Sequence, residues 1–188
     1  MQKVFFDGCL IATSTHSELQ YQRDEVARWM KRYVHLQSKT SERVAAVFDI
    51  DATLVHANSL IEPIVDLYND CMAMNVTCFM VTARPSEAKE FTCRQLDELG
   101  IARPRHIFFH PTDLPCKNSE QAGRQKLTSR NRIVNKGYRI IVNVGDAFHD
   151  HYVPSERSEL HEKLHNKTCF AFIDTRDGGV AHVKLAHP

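Results

Sequence analysis

Apolar residues change their period repeatedly along this chain. Val26, Trp29, Met30, Tyr33 and Val34 recur at three- and four-residue steps, which predicts a helix from Ser17 to about Gln37; Ser17 and Gln20 have the spacing of a capping box. After the polar connector Gln37–Arg43, Val44–Phe48 is an unbroken apolar run of the kind a buried parallel strand shows. Ile61, Ile64, Val65, Tyr68, Cys71 and Met72 restore a helical stripe, and Val76–Val81 reads as a strand again. A helix is expected after Pro85 and Ser86, ending near Gly100, and Ile107–Phe109 forms a short strand. A polar loop then leads into a helix reaching about Lys136, with Gly137 as its C-terminal cap. Ile140–Val144 reads as a strand, Ser155–His165 as a charged helix and Cys169–Ile173 as a further strand.

This alternation predicts an α/β chain: a Rossmann-like three-layer sandwich with a parallel central sheet covered by helices on both faces. Residues 1–43 are expected as a helical extension packed on a core spanning 44–188, a single domain overall. The interval from Thr53 to Thr82 is used up by a helix and a strand, and the interval from Thr82 to Lys126 by a helix, a strand and a loop. No large cap domain fits there. The expected site is open, with only the N-terminal helix and the Thr112–Gly123 loop placed to act as lids.

Composition narrows the class. Hydrophobic residues make up 43% and charged residues 25%, an ordinary globular balance that excludes a disordered or fibrous chain. The formal charge of +1 offers no global field for nucleic acid, which stays open as a partner without support from charge. No apolar stretch approaches the roughly 20 residues that span a bilayer, and Asp7 interrupts the N-terminal apolar run, so a cytoplasmic location is expected. The six cysteines show no C-x-x-C pair and read as free thiols. Eleven histidines are an excess that metal ligation, proton transfer or pH sensing would use.

In an open parallel sheet, ligands bind at the carboxyl ends of the strands, near the point where strand order reverses. Three predicted strands end there in polar clusters: Asp49-Ile50-Asp51-Ala52-Thr53, Thr82-Ala83-Arg84-Pro85, and Gly145-Asp146-Ala147-Phe148-His149-Asp150. Asp49 and Asp51, two residues apart on an extended segment, project to one side. Their charges repel without a cation, and Asp146 adds a third hard oxygen donor, a set suited to Mg²⁺ with phosphate oxygens and waters completing the shell. One carboxylate of the pair then attacks phosphorus and the other handles the proton. Thr82 supplies a hydroxyl donor. Lys126, with Arg130 one turn on, supplies the neutralising charge; Lys117 competes if that helix starts elsewhere.

These residues bear a likeness. D-x-D-x-T at Asp49, Asp51 and Thr53, then Thr82, Lys126, and G-D-x-x-x-D at Gly145, Asp146 and Asp150 resemble, in order, the four motifs of the haloacid-dehalogenase-like phosphohydrolases. VTARP, VNVGDAFHD and VKLAHP look like counterparts in the acid phosphatase and vegetative storage protein group of that superfamily. The resemblance covers about Val44 to the C-terminus. It implies Asp49 as nucleophile through an aspartyl phosphate and Asp51 as general acid and base. It also implies Mg²⁺ held by the Asp49 carboxylate, the Asp51 backbone carbonyl and Asp146, with Asp150 as ligand or support. Thr82, Ala83 and Lys126 form the expected phosphate-binding set. Ala147 and Phe148 depart from the group's usual Gln and Trp.

The expected activity is a Mg²⁺-dependent phosphatase acting on a nucleotide, a small phosphoester or an exposed macromolecular phosphate. The alternatives are a catalytically weak storage or interaction protein on the same fold, or a polynucleotide end phosphatase. His56, Arg84, Phe148, His149 and His151 stand close enough to the motifs to line a substrate rim, Arg84 through carboxylate or phosphate contacts. His161 and His165 have helical zinc spacing on a charged helix far from the motifs. Arg103, Arg105, Arg124, Arg130 and Arg132 read as solvated surface.

Overall fold

The computed structural model describes residues 2–6, 9–14, 28, 30–39, 41–111, 116, 118–159, 162, 169–174 and 180–184. In chain order the elements are β1 (Gln2–Phe6), β2 (Cys9–Ser14), α1 (residues 30–37), β3 (Val44–Phe48), β4 (Val55–His56), β5 (Ser59–Leu60) and α2 (Glu62–Ala73). They continue with β6 (Thr77–Pro85), α3 (Lys89–Glu98), β7 (His106–His110), α4 (Ser119–Asn135), β8 (Arg139–Gly145), β9 (Cys169–Asp174) and β10 (Val180–Lys184).

Eight strands form one sheet in the order β1-β2-β9-β10-β8-β3-β6-β7. The five from β10 to β7 are parallel, while β9, β2 and β1 extend the sheet in antiparallel fashion. From β3 the chain steps outward to β6 and β7, then returns to lay β8 on the other flank of β3. Strand order therefore reverses between β3 and β8, and the crevice at their carboxyl ends is where such sheets bind ligands. The main chain also continues across this junction, because the Asp49 N–H donates to the Val144 carbonyl at 2.9 Å.

All five residues of β3 are buried, as a central strand covered on both faces requires. Val44, Ala46 and Phe48 face one layer, with Met30 and Val34 of α1, Ile64 and Tyr68 of α2 and Leu96 of α3. Ala45 and Val47 face the other, with Phe79, Ile133 of α4 and Tyr138. The two-residue period of the strand thus builds two cores at once. Phe48 meets Tyr68 edge to face with ring centroids 5.3 Å apart, and truncating such a buried aromatic costs about 3–5 kcal/mol. Gly137 ends α4 as expected: its φ of 81° is left-handed, and its N–H caps the Val134 carbonyl at 2.8 Å.

Some elements were not legible in advance. The pair β1 and β2 joins the sheet through β9, so the segment expected as a helical extension also contributes strands to the main sheet. The β4–β5 hairpin, turning through left-handed Ala57 and Asn58, is likewise unannounced by periodicity. A 3-10 turn over Pro154–Arg157 stands at the start of the helix expected from Ser155. Residues 160, 161 and 163–165 of that helix, the first half of the Ser17–Gln37 helix, and residues 112–115 and 117 of the expected loop lie outside the described residues. Among the described residues, no helix is long and apolar enough to cross a membrane.

Candidate active site

Three carboxylates converge at the reversal point. Asp49 follows β3, Asp146 follows β8 and Asp150 closes the short 3-10 turn Phe148–Asp150; all three are buried, and an oxygen from each lies within 4.8 Å of the others. Lys126, about two turns into α4, enters between them. It is 2% exposed, and its Nζ donates to Asp49 Oδ1 at 2.8 Å and to Asp150 Oδ1. The helix presents it there because α4 starts at Asn118, whose side chain accepts from the Gln121 N–H at 2.9 Å, and packs its Gly123 face against the 152–154 segment. The competing Lys117 lies outside the described residues.

The electrostatics follow from crowding. Burial, against the pull of Lys126, pushes the Asp49 carboxyl up to about 8, and Asp150 and Asp146 push in the same direction. Burial acts on Asp150 too, but there Lys126, His149 and His151 prevail and bring the carboxyl down to about 2. Burial alone would lower Lys126; Asp150 and Asp49 outweigh it and hold the ammonium above its ordinary value. Three carboxylates against one ammonium leave an excess of negative charge in a buried space, and hard oxygen donors in that number fit a divalent cation.

The Asp150 turn is fixed from below. Arg130 donates from Nη1 to the Asp150 carbonyl at 2.5 Å and from Nη2 to the His151 carbonyl at 2.7 Å, and Asn143 Nδ2 reaches the Asp150 carbonyl at 3.0 Å. The Asp150 carboxylate accepts from the Ala147 N–H at 2.7 Å. Gly145 makes room for it, since a Cβ there would stand 2.5 Å from Asp150 Cγ. Arg130, expected as solvated surface, is instead buried, because it lies one turn from Lys126 on the face of α4 that the turn covers. Asn143 was also missed; its signal was a polar residue in the middle of the apolar β8 strand.

Other candidates are placed as follows. Thr82 is fully buried in the second half of β6, and its Oγ1 accepts from the Arg84 N–H at 3.1 Å. Ala83 is half-buried beside it. Thr53 is fully buried, and its hydroxyl has no hydrogen-bond partner among the described residues. Asp51 is more than half exposed and paired with Arg84. His56 is exposed on the β4–β5 hairpin, which Asn58 ties to Gln95 of α3 at 2.8 Å. Phe148 is buried against Tyr152. His149 is half-buried, its Nε2 3.9 Å from Asp150 Oδ1, and burial lowers its pKa. His151 is buried beneath the turn, where its Nδ1 lies 3.3 Å from that of His182 and 3.4 Å from Asn143 Nδ2. His161 and His165 lie outside the described residues.

A family model described as "HAD superfamily, subfamily IIIB (Acid phosphatase)" matches residues 56–166. That span holds Thr82, Lys126, Asp146 and Asp150, while Asp49 and Asp51 precede it. Vegetative storage protein 1 of Arabidopsis thaliana is 26% identical over 84 residues, 45% of this chain; the match spans only 30% of that relative's length. Among solved structures, the class C acid phosphatase of Bacillus anthracis superposes with a TM-score of 0.63 at 14% identity, over 93% of this chain and 80% of the other. A second structure of that enzyme, with tungstate bound, gives the same values. At this identity the superposition speaks for the fold.

Proposed function

Because the chain belongs to the HAD superfamily, subfamily IIIB (acid phosphatase), we propose that it hydrolyses phosphomonoesters, with Asp49 as nucleophile and Mg²⁺ as cofactor. The observation that carries this reading is the buried cluster of Asp49, Asp146 and Asp150 around Lys126 at the strand-order reversal. Asp49, Asp146 and Asp150, together with the Asp51 main-chain carbonyl, would hold the cation. When bound, it neutralises charge on the phosphoryl oxygens and offsets the burial that raises Asp49, favouring the ionised carboxylate.

The chain's own residues do the rest. Lys126 keeps the Asp49 carboxylate in place and adds positive charge beside the transferred group. The Thr82 hydroxyl accepts from the main chain of Arg84, so its own proton is free to be donated to a phosphoryl oxygen. An Asp49 oxygen bonds to phosphorus as the bond to the leaving oxygen breaks, and Asp51 delivers a proton to that oxygen. Water then attacks the aspartyl phosphate, giving its proton to Asp51 and freeing Asp49. The substrate class is a nucleotide, a small phosphoester or an exposed macromolecular phosphate.

The test uses para-nitrophenyl phosphate with Mg²⁺, with chelator, and with the Asp49→Asn protein. Turnover by the natural protein that both chelator and substitution abolish is the expected outcome. Turnover retained by Asp49→Asn refutes the mechanism, and absence of turnover favours a storage role of the kind the Arabidopsis relative is named for.

A further inference from the structure

Asp51 has a 58% exposed side chain, a setting in which a carboxylate usually samples several orientations, yet it is held in one. Arg84 donates from Nε to Asp51 Oδ2 at 2.9 Å and from Nη2 to Oδ1 at 2.7 Å, the two-pronged pairing that a guanidinium offers and an ammonium does not. The arginine is itself anchored. Its side chain is only 13% exposed, and its Nη1 donates to the hydroxyl of Thr92 at 3.0 Å. Thr92 is fully buried on α3. Each of the three guanidinium nitrogens is therefore committed to Asp51 or Thr92, which favours a role toward the carboxylate over a phosphate contact.

The Asp51 half of this fork stands in solvent, which screens the attraction and limits what the pair adds to stability. The fork links the segment that follows β3 to α3 through Arg84 near the end of β6. We propose that Arg84, anchored by Thr92, is a positioning residue that aims the Asp51 carboxylate at the leaving oxygen. This rests on the reading in which Asp51 carries the proton to that oxygen as the Asp49 oxygen bonds to phosphorus. A misaimed acid penalises a leaving alkoxide, which must be protonated, and spares a leaving group that is stable as an anion.

The experiment compares kcat/KM for glycerol phosphate and for dinitrophenyl phosphate, since this ratio includes steps only up to departure of the leaving group. Arg84→Lys and Arg84→Gln are expected to lose about 10²-fold or more on glycerol phosphate and less than about tenfold on dinitrophenyl phosphate. Thr92→Val, which keeps the charge but frees the anchor, is expected to shift the same ratio in the same direction by less. Equal losses on both esters overturn the proposal, as does Arg84→Lys behaving like the natural protein. Urea unfolding midpoints identify variants that fold, and Thr92→Val carries the test if the Arg84 variants do not. Failure of the parent reading looks different: the natural protein is inert on both esters, or Asp49→Asn stays active.

Discussion

Replacing Lys126 with methionine keeps much of the side-chain volume and removes the ammonium from between Asp49 and Asp150. In the natural protein the lysine side chain is 3% exposed and pairs with carboxylates that are 7% and 3% exposed. Methionine cannot satisfy either carboxylate, and breaking a buried ion pair by removing one partner costs about 3–5 kcal/mol. For a chain of this size each kcal/mol moves Tm by about 2–4 °C, so a fall of roughly 6–20 °C is expected. The deficit has a sign with pH. Without the lysine, burial and mutual repulsion raise the folded-state pKa of the carboxyls above their unfolded values, so the folded chain binds more protons than the unfolded chain. Stability of Lys126→Met then declines as pH rises above about 4, and its gap from the natural protein widens toward neutrality. Urea unfolding across pH in chelator measures this, and added Mg²⁺ should narrow the gap by supplying the missing charge. A loss under about 1 kcal/mol, or a gap that shrinks as pH rises, would refute the account of the cluster as charges held together by Lys126.

Gly145→Ala drives a Cβ into the Asp150 side chain, so a loss of about 1–3 kcal/mol is expected. The Mg²⁺ concentration for half-maximal turnover should rise with it; thermal unfolding and a Mg²⁺ titration of activity check both, and an unchanged Mg²⁺ requirement counts against the assigned role of Asp150. Burial, aided by the neighbouring His182, holds His151 well below the usual histidine range, so only the unfolded chain takes up its proton in mildly acidic solution. The contribution of His151 to stability should be complete above about pH 6.5 and fall below it by about 1.4 kcal/mol per pH unit, so the natural protein should lose stability relative to His151→Gln as pH drops through that window. Urea unfolding at several pH values decides, and identical slopes in the two proteins would exclude His151 as the group responsible.

By itself, the sequence determined the local grammar and the candidate site positions. The apolar runs that became β3, β6 and β8, the stripe of α2 and the cap at Gly137 follow from periodicity and backbone preference, which act over a few residues. Asp49, Thr82, Lys126 and Asp146 stood out because each sits just past a predicted strand or early in a predicted helix, and Asp150 through the resemblance to the G-D-x-x-x-D motif. Only the tertiary structure decided which of these groups touch. That Lys126 bridges Asp49 and Asp150, that Arg130 and Asn143 hold the turn from below, and that Arg84 grips Asp51 depend on bringing distant segments into register. The antiparallel addition of β1 and β2 through β9 is of the same kind. A short apolar stretch carries no local record of its eventual neighbour, and a surface-like arginine none of its burial, because both are set by long-range pairing of strands and the helix faces laid across them.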